Sequence, residues 1–399
     1  GRGIKKSVLH ERLDKVGACF GESAGWERPN WYALPGEVAE YNYDFSRQNW
    51  FHNNASEHQA VRNAVGIFEQ SSFQKILVQG KDAESVLNRV ATANMSVANG
   101  TVVYTQFLNQ IGGVEADLTI TRLQANEYMV VTAAFTATHV KAWIDEHMSD
   151  DANCVLTDIS GSYAMLNIQG PNSRSLLTTI SSSNFSNEYF PFGTMQPIEI
   201  GYQNALAVRI SYTGELGWEL YIPTEMAVSV YDKIIEEGKV HGLKHCGYHT
   251  LNSLRIEKAY REWAHDMGPR ETLLEAGLSF TCDWDKPEGF VGKEALVAQK
   301  EKGSINTRLV QFLLEDSGPI LSHNESILCD GERIGYTTSS GYAHTLGACA
   351  SMGYLKNIEG ITPEFLSTRS FEIEQANRLY KATASLLPMY DPKSIRTRS

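Results

Sequence analysis

The run Ile210-Ser-Tyr-Thr-Gly-Glu-Leu-Gly-Trp-Glu-Leu-Tyr-Ile222 sets a tyrosine and two carboxylates around two glycines, among β-branched and aromatic strand formers. A tight glycine turn there aims Tyr212 and Glu219 from neighbouring strand ends. A phenol stacks on or hydrogen-bonds a flat ring. A carboxylate accepts two parallel hydrogen bonds from an amino-substituted ring edge, such as that of a pterin. The same residues also suit an ordinary hairpin with a solvated glutamate, so the surrounding sequence has to decide.

The elements that would position these side chains alternate along the chain. Residues 1–40 are rich in Gly, Pro and Trp and read as an irregular arm lying across another surface. Periodicity then predicts helices over 57–67, 82–91, 134–148, 225–238 and 247–260. Strands are predicted over 75–79, 102–108, 117–122, 128–132, 164–169, 196–202, 206–211 and 219–222. Such interleaving favours an α+β fold with mostly antiparallel sheets. Past about residue 300, short strands with glycine turns, as in Ile327-Leu-Cys-Asp-Gly-Glu-Arg-Ile-Gly-Tyr336, predict a small β-barrel or sandwich.

Composition bounds the function. With 399 residues, 42% of them hydrophobic, the chain can bury at least one large core and divides into two or three domains. Its net charge of −12, with scattered basic residues, argues against nucleic-acid and membrane partners. No apolar run spans a bilayer, and no signal peptide opens the chain. Six separated cysteines read as free thiols in a reducing compartment, the cytoplasm or the mitochondrial matrix. The first residue is Gly1, which fits a processed product or the downstream part of a longer polypeptide. His245 and His249 have metal-ligand spacing, but with no third ligand nearby they read as packing residues. Neither a Gly-x-Gly-x-x-Gly nor a Gly-Lys-Ser loop is present to bind FAD or a nucleotide.

Seven segments in order carry a family resemblance: Val65-Gly-Ile-Phe-Glu-Gln-Ser-Ser-Phe73, Asn109-Gln-Ile-Gly-Gly-Val-Glu-Ala-Asp-Leu-Thr119, Asn167-Ile-Gln-Gly-Pro171, Tyr212-Thr-Gly-Glu-Leu-Gly-Trp-Glu219, Leu254-Arg-Ile-Glu257, Glu288-Gly-Phe-Val-Gly-Lys-Glu-Ala-Leu296, and the stretch from Gly335-Tyr to Gly347. From about residue 41 onward the series resembles the tetrahydrofolate-dependent aminomethyltransferase (T-protein) of the glycine cleavage system. The arm, with Ala18-Cys-Phe-Gly-Glu-Ser-Ala-Gly-Trp-Glu-Arg-Pro-Asn-Trp31, resembles the junction in dimethylglycine and sarcosine dehydrogenases, where an FAD-binding half precedes a folate-binding half.

The resemblance implies an aminomethyltransferase-like folate-binding fold over 41–300 and a C-terminal β-barrel over 301–399, with residues 1–40 as junction. It implies Asp117 as the catalytic acid, although this chain has Ala116-Asp117 where the family usually has two aspartates. The carboxylate would take the proton lost when an amine attacks an iminium or formaldehyde carbon; a strand-end aspartate that caps backbone amides is the structural alternative. Tyr104, Tyr212 and Glu219 match pterin-contacting positions, and Phe73 and Leu77 an apolar wall. Arg255 matches a family arginine, either holding a carboxylate of the folate or of the pocket or forming a helix-surface ion pair with Glu257 or Glu262, and Trp263 lies one to two helical turns on. The implied activity is formation of 5,10-methylenetetrahydrofolate from the oxidised methyl group of an N-methylated amine. The cofactor is tetrahydrofolate, with FAD confined to an absent domain or partner. Rival readings are a free-standing glycine cleavage aminomethyltransferase, a folate-dependent demethylase, and a non-catalytic folate-binding or regulatory module.

Overall fold

Strand alternation decides the architecture. In Gln74–Gln79 the side chains of Ile76 and Val78 are buried with residues of the helices Ala83–Val90 and Ala137–Glu146, so Phe73, Lys75 and Leu77 take the opposite face. In Gly217–Pro223, Trp218, Leu220 and Ile222 pack with the helices Ser173–Ile180 and Ala227–Gly238, so Glu219 and Tyr221 again take the opposite face. The computed structural model describes residues 1–44 and 47–399. Within it these two strands belong to different sheets whose helix-free sides meet.

One sheet has five strands in the order Val102–Leu108, Val114–Gln124, Glu127–Thr132, Gln74–Gln79, Val155–Asp158. The other has six, in the order Met195–Ile200, Gln203–Val208, Gly217–Pro223, Tyr163–Gln169, Val65–Glu69, Leu243–His245. Met129 and Val131 of the first meet Met165, Val208 and Tyr221 of the second in a shared apolar patch. Register extends this inner face: Tyr104 pairs with Thr119, Gln106 with Asp117, and Lys75 and Thr119 each with Val131. Directly paired residues share a face, so Tyr104, Gln106, Asp117, Lys75 and Leu77 all point toward the six-stranded sheet. A third body is a closed six-stranded barrel, in the order Thr307–Leu314, Ala348–Lys356, Glu332–Ala343, Ser326–Cys329, Phe371–Gln375, Arg378–Ser385.

Three expectations are corrected. The predicted helix over 57–67 is instead the helix Phe51–Asn63 followed by the strand Val65–Glu69, every residue of which is buried. An interior strand covered on both faces reads as an unbroken apolar run, which periodicity does not separate from a helix. The predicted helix over 247–260 ends at Glu257, and Ala259 takes φ 51°. The arm is also more regular than its composition suggests. It contains the helix His10–Lys15 and a hairpin of Ala18–Ser23 with Trp26–Tyr32. Ala24 and Gly25 between the strands both have positive φ, 51° and 82°, the sign a two-residue type I′ turn requires. Leu9, Leu13, Ala18 and Tyr32 join the main core, so the arm is built into it. Among the described residues no helix is long and apolar enough to cross a membrane.

The hairpin reaches the site through Gly247, which precedes the helix Tyr248–Glu257: a Cβ there would lie 2.2 Å from the Asn30 carbonyl oxygen and 2.5 Å from the Trp31 nitrogen. Gly247→Ala therefore forces the hairpin away from the helix. The expected loss is about 1–3 kcal/mol, read as a lower midpoint in urea or thermal unfolding. An unchanged midpoint would show that the hairpin yields freely.

Candidate functional site

Asp117 is partly exposed on the inner face of the five-stranded sheet. The fully buried Gln106 donates from Nε2 to its Oδ1 at 2.8 Å, and the Thr281 hydroxyl donates to the other end of the same amide, which fixes its orientation. Loss of water pushes the Asp117 carboxyl up to about 6, against the hydrogen bonds of Gln106 and Tyr104 and the charge of Arg261. Burial likewise holds the Tyr104 phenol well above its ordinary range, helped by the Asp117 charge. Asp117 is thus an acid able to take and return a proton near neutrality.

Glu219 faces this group from the six-stranded sheet, also partly exposed. Among the described residues Tyr221 alone donates to it, hydroxyl to Oε2 at 2.9 Å. Desolvation pushes the Glu219 carboxyl up to about 7, opposed by Tyr221 and by the charge of Lys75. Phe73 packs at the edge of the apolar patch between the sheets. Phe73, Leu77, Tyr104, Asp117, Tyr212 and Glu219 are all partly exposed. Side chains sealed between two packed sheets are buried, so solvent reaches these six positions on and beside the inner faces. Glu219 keeps acceptor capacity that no donor among the described residues other than Tyr221 uses.

Tyr212 stacks on Tyr260, with ring centroids 6.0 Å apart, and its hydroxyl donates to the Arg261 carbonyl at 2.8 Å. Trp263 stacks on the half-exposed Phe135 at 6.0 Å and donates from Nε1 to the carbonyl of Val114, the first residue of the Asp117 strand. Neither Arg261 nor Trp263 continues a helix; both lie in the loop after Glu257. Arg255 is buried, and its Nε donates to Asn252, its Nη1 to the Tyr260 carbonyl and Asp266, and its Nη2 to Glu262. Those protein acceptors take four of its five N–H groups, so Arg255 holds the carboxylates of Asp266 and Glu262, the expected Glu262 pairing among them.

Sequence reasoning passed over three groups here. Gln106 was readable from the hairpin around Asn109-Gln-Ile-Gly-Gly113, which sets its register with Asp117. Lys75 shares parity with Phe73 and Leu77, yet its side chain is wholly buried. Arg308, from the first barrel strand, had no local signal. Burial and the charge of Arg261 lower its pKa, and among the described residues it forms no ion pair. An open cleft of about 410 Å³ between the 263–271 loop and the barrel is lined by Trp263 but by none of the other expected site residues. His245 and His249 are engaged by the hydroxyls of Tyr231 and Tyr41, at 2.7 and 2.9 Å.

Comparison with known proteins identifies the family of the chain. Residues 9–286 match the GCVT N-terminal domain, and residues 307–391 the glycine cleavage T-protein C-terminal barrel domain. The 4-methylaminobutanoate oxidase (formaldehyde-forming) of Paenarthrobacter nicotinovorans is 42% identical over all of this chain and 47% of its own length. Human mitochondrial sarcosine dehydrogenase is 32% identical over all of this chain and 48% of its own length. The chain thus spans about half the length of these relatives. Aminomethyltransferase T of the glycine cleavage system from Bartonella henselae shares the fold, with TM-score 0.82 and 22% identity over 98% of this chain and 99% of that one.

The raised carboxyl of Asp117 has a consequence for stability. A group that binds its proton more tightly when folded favours the folded state most below its unfolded pKa of about 4, and that contribution is lost as pH rises toward its folded value, here about 6. Asp117→Asn cannot ionise. Its melting temperature relative to wild type should therefore climb between about pH 4 and 6 and level off above. A difference that is flat with pH would mean that Asp117 is well solvated.

Proposed function

Because this chain belongs to the glycine cleavage T-protein family, we propose that it is the folate-binding, one-carbon-transfer half of a system that demethylates an N-methylated amine of the dimethylglycine or sarcosine type. The observation that carries the reading is that register puts Asp117 and Glu219, two carboxyls pushed up by burial, on the inner faces of the two packed sheets. Tetrahydrofolate, when bound, supplies the nitrogens that take up the one-carbon unit, giving 5,10-methylenetetrahydrofolate.

The chain's own residues do the rest. Glu219 accepts the N–H groups of the pterin edge, and Phe73, Leu77, Tyr104 and Tyr212 close around the ring, with Trp263 at the rim. Asp117, oriented by Gln106, removes the proton released as the new carbon–nitrogen bond forms and stabilises positive charge there. Arg255 acts indirectly, by holding the loop that carries Trp263. Oxidation of the amine belongs to a flavin-binding domain or subunit, and this chain receives the iminium or formaldehyde product. Holding the acceptor beside the point of release raises its effective concentration. The names of the two relatives support this direction, one being formaldehyde-forming and the other acting on sarcosine.

Calorimetric titration should show tetrahydrofolate binding without added FAD, with Glu219→Ala weakening it by about 1–3 kcal/mol. FAD binding without folate binding would refute the assignment. Asp117→Asn should leave folate affinity nearly intact while slowing methylenetetrahydrofolate formation by roughly 10²- to 10⁴-fold. That assay uses saturating folate and the flavin partner turning over its amine. Equal rates in the two proteins would move the catalytic group elsewhere. Folate binding with no rate above background in the wild type would favour a non-catalytic folate module.

A further inference from the structure

The inner face of the five-stranded sheet carries a buried lysine that the chemistry above does not use. Lys75 has no solvent exposure, so its ammonium cannot touch a ligand at the site. It donates to the carbonyls of Ser71 at 3.0 Å and Phe73 at 2.9 Å, and among the described residues it forms no ion pair. An unpaired charge in such a place is costly, and apolar neighbours of the same parity would pack there at no such cost.

Carboxylates of three strands act on its charge, in the order Glu69 of Val65–Glu69, Asp158 of Val155–Asp158 and Glu219 of Gly217–Pro223; of these, Glu219 shares the inter-sheet layer with Lys75, since their paired neighbours Val208 and Val131 meet in one apolar patch. Two of the three carboxylates have backbone donors of their own, Glu69 from the Ser71 amide at 3.1 Å and Asp158 from the Ser160 amide at 2.8 Å. Glu219 has only a phenol. Of the three, Glu219 is thus the one that lies in the inter-sheet layer with Lys75 and has no backbone donor.

We propose that Lys75 is a positioning residue, whose charge keeps Glu219 an anion across the gap between the sheets and whose hydrogen bonds hold the 71–73 turn that presents Phe73. The inference deepens the folate reading, because an anionic Glu219 is what accepts the N–H groups of an amino-heterocycle. Opposed pKa directions accompany the arrangement: burial draws Lys75 down to about 8 while Glu219 rises to about 7, each held back by the other's charge.

The test begins without any ligand. In isotope-edited infrared spectra the band of protonated Glu219, assigned by its loss in Glu219→Gln, should titrate at a pH higher by about one unit or more in Lys75→Met. Lys75→Arg, which keeps the charge, should titrate close to wild type. An unmoved midpoint in Lys75→Met overturns the proposal. Should Lys75→Met fail to fold, the coupling is read from the other side: in Glu219→Gln the Lys75 ¹³Cε resonance should titrate at lower pH than in wild type, and an unshifted midpoint there is equally fatal. With tetrahydrofolate added, Lys75→Met should bind at least about fivefold more weakly at pH 7 and recover as pH rises, since a one-unit rise from a midpoint of about 7 cuts the anionic fraction at pH 7 from about a half to about a tenth. A deficit that is constant with pH would mark a merely structural lysine and overturn the proposal. Absence of folate binding in wild type would sink the functional reading instead, leaving the infrared midpoints to decide on Lys75.

Discussion

The ion pair between Arg255 and Asp266, Nη1 to Oδ2 at 2.6 Å with both side chains buried, is the constraint on which the site's outer wall depends. Asp266 also accepts from the hydroxyls of Thr338 and Ser339 on the barrel and from the Glu262 amide. One carboxylate thus ties a central helix, the loop after it and the C-terminal barrel. Buried ion pairs return little net stability, because desolvation consumes most of the attraction, but removing one partner is severe. The value of this pair is geometric. The loop it pins contains two alanines at positive φ, Ala259 at 51° and Ala264 at 73°, a conformation that persists only where the surroundings over-determine it. Arg261 and Trp263 reach the Asp117 strand from that loop.

Inside the wall a single physical cause acts on groups of opposite charge. Desolvation lifts Asp117 to about 6 and Glu219 to about 7, and lowers Lys75 to about 8. Two carboxyls and an ammonium, whose ordinary ranges lie far apart, are brought toward neutrality by one layer between two sheets. This clustering of perturbed groups is expected of a site that moves protons. It is also paid for in stability, since an apolar layer in the same place would favour the fold more.

Much of this was legible in the sequence because the signals were local. Alternation marked the strands that carry Tyr104 and Asp117, and the glycines around Glu215 marked the turn between Tyr212 and Glu219. Where the sequence misled, the deciding contact was distant or the competing pattern equally regular. For Arg255 the sequence left a ligand, a pocket carboxylate and an ion pair open, because Leu-Arg-Ile-Glu-Lys-Ala-Tyr continues a helical pattern and nothing in it announces the turn at Ala259 that brings Asp266 onto the guanidinium. Gly, Pro and Trp made the arm look irregular, although Ala24-Gly25 closes a hairpin whose Trp31 is almost fully buried. Lys75 was unreadable as an isolated residue, since a strand lysine is ordinarily solvated, and its burial follows only from the second sheet.

The barrel is electrically part of the site. Burial and the charge of Arg261 lower the pKa of Arg308 on its first strand, and the carboxylates of Asp266 and, after it, Asp117 offset the burial of Arg261. Two guanidiniums brought together in low dielectric are tolerated only while neighbouring anions persist. The carboxylate that pairs with Arg255 is also the leading carboxylate acting on Arg261, so the barrel, the loop and the outer wall of the site share one buried charge at Asp266.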